Sequence, residues 1–84
     1  MRLIDQLVTE INGRNLLGEI KYICLNKSSK KQLFLDYEEE FKNEFDELGR
    51  QPNLFDVEEY FKMKIIVDDT ITESEGYRLL TKAG

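Results

Sequence analysis

Five apolar residues, Phe34, Tyr37, Phe41, Phe45 and Leu48, recur at intervals of three and four inside a stretch otherwise dominated by carboxylates. Only a helix gathers residues at that spacing into one stripe, and a stripe of rings has to face a core. The residues between them, Glu38, Glu39, Lys42, Asp46 and Glu47, must then point to water. The predicted helix runs from about Ser29, a residue type that caps free first-turn amides, to Leu48, with Gly49 as the left-handed stop and Pro52 beyond it.

The remaining elements follow from the same kind of pattern. Leu3, Ile4, Leu7, Val8 and Ile11 describe an amphipathic first helix, which Asn12-Gly13 should end. Leu16–Leu25 is mostly apolar and reads as a strand over about Glu19–Leu25, too continuous for an exposed edge. Asn53–Phe61 fits two readings: a short helix capped by Asn53 with Leu54, Val57 and Phe61 inside, which is favoured, or a strand through Phe55-Asp56-Val57. Met63–Val67 reads as a central strand. After the polar stretch Asp68–Gly76, Tyr77–Leu80 reads as its antiparallel partner. The expected fold is a single α+β domain over residues 1–84, with two main helices on a small, mostly antiparallel sheet in the order α-β-α-(short α)-β-β. At 84 residues its core is thin.

The chain carries 17 acidic and 12 basic residues, a formal net charge of −5, and no histidine. Their distribution is uneven. Residues 1–31 hold six basic against three acidic residues, while residues 36–59 hold ten acidic against two basic, a balance of −8. An acidic ridge of this kind attracts basic surfaces and repels nucleic acid. Glu38, Glu39, Asp46 and Glu47, extended by Glu58 and Glu59, are therefore the expected partner-binding residues. The expected partner is a protein with a basic surface, and direct nucleic-acid or membrane binding is not expected.

Catalytic constellations are missing from the sequence. Cys24 is the one cysteine, so no intrachain disulfide forms, and its apolar surroundings predict a buried structural thiol. Ser28, Ser29 and Ser74 have no histidine as base. Asp68-Asp69 reads as a solvated turn, and Asp68–Glu75 misses the EF-hand spacing. The expectation is a non-enzyme without metal or cofactor. Met1–Asn12 carries Asp5 and Glu10 within its apolar pattern, unlike a signal peptide, and no apolar run approaches the ~20 residues needed to span a bilayer. A soluble protein in a reducing, intracellular setting is expected.

From about Ile20 onward, the order of strand, "LNKSSKKQLFLDYEEEF" helix and "YFKMKIIVDDTITESEGYRLL" resembles small tailed-phage proteins. The closing segment also resembles the strand-loop-strand late in HK97-like capsid proteins, in which a run such as Lys64-Ile65-Ile66-Val67 precedes Asp68-Asp69, a polar turn and a short strand like Tyr77–Leu80. The chain is far shorter than a capsid subunit, and Met63 stands where glycine is commoner, so shell formation is not implied. The resemblance implies a phage origin and two roles: interference with a host protein in the host cytoplasm, or a virion or capsid-assembly part. A homodimer through surplus apolar positions of Leu3–Ile11 is a further alternative.

Overall fold

The computed structural model describes residues 2–14 and 20–81. Its described elements run α1 (Leu3–Arg14), β1 (Tyr22–Leu25), α2 (Lys27–Glu40), α3 (Lys42–Leu48), α4 (Leu54–Phe61), β2 (Lys64–Val67) and β3 (Tyr77–Leu80). This is an α+β domain built on a three-stranded mixed sheet of order β2-β1-β3.

The sheet differs from the expected one. Tyr22–Leu25 is the central strand, parallel to β2 with Ile23 opposite Ile65, and antiparallel to β3 with Ile23 opposite Leu79. Met63–Val67 is therefore an edge, and Tyr77–Leu80 does not pair with it. Two physical facts decide this. Three helices lie between β1 and β2, long enough for the crossover that parallel pairing needs. Residues 68–76 then carry the chain from one flank of β1 to the other, which requires only about 10 Å, two strand spacings. That loop passes the C-terminal end of β1, where Asn26 Nδ2 donates to the Ile71 carbonyl at 3.0 Å and Ile71 itself is buried. Burial tracks the pairing: Ile23, Cys24 and Leu25 are buried in β1, whereas Lys64 and Val67 are exposed in β2.

The long helix expected over Ser29–Leu48 is broken. Phe41 (φ −114°, ψ 25°) is the C-cap of α2 and the N-cap of α3. The i to i−4 bonds still close at Phe41 and Phe45, so the apolar spacing survives the break and hides it from a periodicity argument. The rings around it pack on α4: Tyr37–Phe41 centroids lie 4.7 Å apart, and Phe41–Tyr60 5.4 Å. Contacts of this kind hold a helical stretch that its own charges oppose, since Glu38, Glu39 and Glu40 crowd the negative end of the α2 dipole.

The break also moves the buried face. Leu33, Asp36 and Tyr37 are buried on α2 and Phe45 on α3, while Phe34 and Phe41 are half-buried at the flanks. Leu48, expected inside, is 63% exposed, because the stripe leaves the core after Phe45. The cap of α2 is Asn26, one turn earlier than expected, with the Ser29 amide donating to its side chain at 2.8 Å. The first helix runs on to Arg14, past Asn12-Gly13. Of the two readings of Asn53–Phe61, the helix holds. Asn53 and Asp56 form a reciprocal capping box, with Val57 and Phe61 buried. Gly49, at φ 71°, supplies the left-handed stop expected of it.

The helices pack against β1. Ile4, Leu7 and Ile11 of α1 join Ile23, Leu25, Leu33, Tyr37, Phe45, Val57 and Phe61 in one apolar cluster. Cys24 is buried, and burial raises its thiol pKa. No described helix is long and apolar enough to cross a membrane.

Candidate partner-binding site

The acidic stretch divides into carboxylates that the fold uses and carboxylates that it does not. Asp36 is the clearest of the first kind. It is 3% exposed, accepts from the Ile4 amide at 3.3 Å and from Gln32 Nε2 at 2.8 Å, and so satisfies a first-turn donor of α1 from a different helix. Its negative charge also sits at the positive end of the α1 dipole. Glu40 pairs with Arg2 at 2.6 Å, and Arg2 in turn holds Asp5, which keeps the Asp5 carboxyl below the usual range. Asp56 receives both arms of Arg50, at 2.7 and 3.0 Å, while closing the α4 cap. Its pKa is lowered, first by Arg50, against an opposing effect of burial.

Glu58, expected on the partner-binding surface, belongs to this structural group. The amides of Lys64 and Asp68 bond to the Lys21 and Leu25 carbonyls of the β1 side, so the alternate residues Ile65 and Val67 turn their amides toward the free edge of the sheet. The Glu58 carboxylate accepts the Ile65 amide at 2.8 Å and occupies that edge. A carboxylate there discourages strand addition from another chain. Glu59 is exposed and forms a loose i,i+3 pair with Lys62 at 3.6 Å.

Glu38 and Glu39 on α2, and Glu44, Asp46 and Glu47 on α3, make up the second kind. All are exposed, and among the described residues none has a salt bridge or side-chain hydrogen bond. Of the residues singled out from sequence, Glu38, Glu39, Asp46, Glu47 and Glu59 are thus exposed, as is Glu44, whereas Glu58 is half-buried. Asp36 is buried, unlike the other carboxylates of the stretch; Leu33 and Tyr37, four residues apart, are the signal for it, since the helix face they define contains position 36.

The other sequence candidates take structural places. Asp68 accepts from the Thr70 amide at 2.9 Å and from its hydroxyl at 2.6 Å, a turn that lowers the Asp68 pKa. Among the described residues no three metal-ligating side chains cluster, and no buried side-chain nitrogen or oxygen lacks a partner. Neither a protein-family model, nor a curated protein, nor a solved structure matches the chain.

Proposed function

We propose that this chain is a non-catalytic binding protein of phage type whose α2–α3 acidic face docks on a basic surface of a host protein and blocks it, as a nucleic-acid mimic would. One observation carries the reading: Glu38, Glu39, Asp46 and Glu47 stand exposed on two consecutive helices and without partners among the described residues, while Asp36, Asp56 and Glu58 are consumed by the fold. Unpaired like charges on one surface repel each other, by roughly 0.2–0.5 kcal/mol per close helical pair, and a cationic partner removes that cost. The alternative role, a virion or capsid-assembly component joined through strand edges, is opposed at β2 by the Glu58 contact to Ile65.

The test uses the intact chain as bait in bacterial lysate, beside a variant with Glu38→Gln, Glu39→Gln, Asp46→Asn and Glu47→Gln. The expected result is a basic protein retained by the wild type, released by moderate salt and lost with the variant. Capture that is equal for both baits overturns the proposal.

A further inference from the structure

The first half of α2 presents the opposite chemistry to its second half. Lys27, Lys30 and Lys31 rim a groove of about 450 Å³ floored by Phe34, Leu35 and Val67. Leu35 is 52% and Val67 41% exposed, an apolar floor open to solvent. Lys30 lies over the Phe34 ring at 5.8 Å, Lys27 reaches only Asp69 at 3.8 Å, and Lys30 and Lys31 have no carboxylate partner among the described residues. Cations at a helix N-terminus oppose its dipole, so these lysines do not stabilise α2 by their charge. Docking by the acidic face makes no use of these lysines.

A candidate occupant of opposite charge lies on the same chain. Leu48 ends α3 and is 63% exposed, and Glu44, Asp46 and Glu47 of the same helix are exposed without a salt bridge among the described residues. An apolar knob with an anionic rim matches an apolar floor with a cationic rim in both hydrophobicity and sign.

We infer that the occupant of the groove is a second copy of this chain, whose Leu48 tip seats between Lys27, Lys30 and Lys31 over Phe34, Leu35 and Val67. Groove and tip share no residue, so the contact is heterologous: each copy keeps one free groove or one free tip, and association continues into short chains or a ring. Glu38 borders the groove on the acidic side and repels the incoming carboxylates toward the lysines. A single knob in a groove this size buries less than a standard interface, so the contact is weak and reversible.

The experiment needs only the purified chain, so its outcome is independent of whether a host partner exists. Sedimentation velocity across a concentration series, at low salt and at 0.5 M salt, should show a mass above monomer that grows with concentration at low salt and falls back at high salt. A groove reversal (Lys30→Glu with Lys31→Glu) and a tip reversal (Asp46→Lys with Glu47→Lys) should each weaken association at least ten-fold, and an equimolar mixture of the two should restore it. Lys31, Asp46 and Glu47 are exposed and Lys30 is half-buried, and circular dichroism checks that each variant remains folded. Leu48→Lys alone should abolish association, and because its groove is intact, mixing it with the groove reversal, whose tip is intact, should restore a single contact. A wild type that stays monomeric throughout, association in either reversal equal to that of the wild type, or a mixture of the two reversals that fails to recover it overturns the inference.

Discussion

Asp36 and its near neighbours Glu38 and Glu39 sit on one helix and carry one charge, yet the protein treats them in opposite ways. Asp36 is enclosed and holds the start of α1, whereas Glu38 and Glu39 face water and bond to no described residue. The same division runs through the rest of the acidic stretch, with Asp56 and Glu58 on the inner side and Asp46 and Glu47 on the outer. A balance of −8 over residues 36–59 is therefore a sum over two populations with different jobs. Inner carboxylates terminate backbone that would otherwise be unsatisfied. Outer ones cost the isolated chain a little and become useful only against something else.

That division can be broken most severely at Asp36. Asp36→Ala strands the buried Ile4 amide, while the exposed Gln32 amide turns to water, and urea unfolding should show a loss of about 3 kcal/mol, the scale of a buried charge-assisted hydrogen bond and its unsatisfied partner. Asn26→Ala comes next, at about 2 kcal/mol in the same assay, because one side chain both caps α2 and pins the Ile71 carbonyl of the crossing loop. For Glu58 the chemistry of the replacement matters. Glu58→Gln keeps an acceptor for Ile65 and should be near wild type, while Glu58→Ala should cost about 1 kcal/mol and raise aggregation by freeing the β2 edge, measured by unfolding and light scattering.

The Arg50–Asp56 pair sharpens the comparison by pH. The Asp56 pKa is lowered in the folded state, so its contribution is complete above its ordinary value of 3.8 and is lost as pH falls through the lower folded value. Arg50→Ala should therefore lower the melting temperature at pH 7, with the gap to wild type narrowing as the pH drops below about 4. A gap that is constant with pH would assign the effect to packing of Arg50 on the Phe45 ring, 5.0 Å away, instead of to charge.

How much of this was legible beforehand depended on how local the deciding physics was. The α4 cap at Asn53, the stop at Gly49 and the buried positions of α1 follow from short-range rules, and the sequence shows them. The strand order does not, because a loop over residues 68–76 suits both a hairpin and a passage across β1, and Asn26 and Ile71, which select the latter, are far apart in sequence. The break at Phe41 preserves the three-and-four spacing and leaves no mark in the pattern. The outer carboxylates were readable from the stripe. The inner ones were not, since the partners of Asp36 and Glu58 are backbone amides on other elements.

Urea unfolding of the chain carrying Glu38→Gln, Glu39→Gln, Asp46→Asn and Glu47→Gln together tests the division most directly. Stability within about 0.5 kcal/mol of wild type, or slightly above it as like-charge repulsion is relieved, is the predicted result. A loss of more than about 1 kcal/mol would mean that these charges hold the fold and are not spare for a partner.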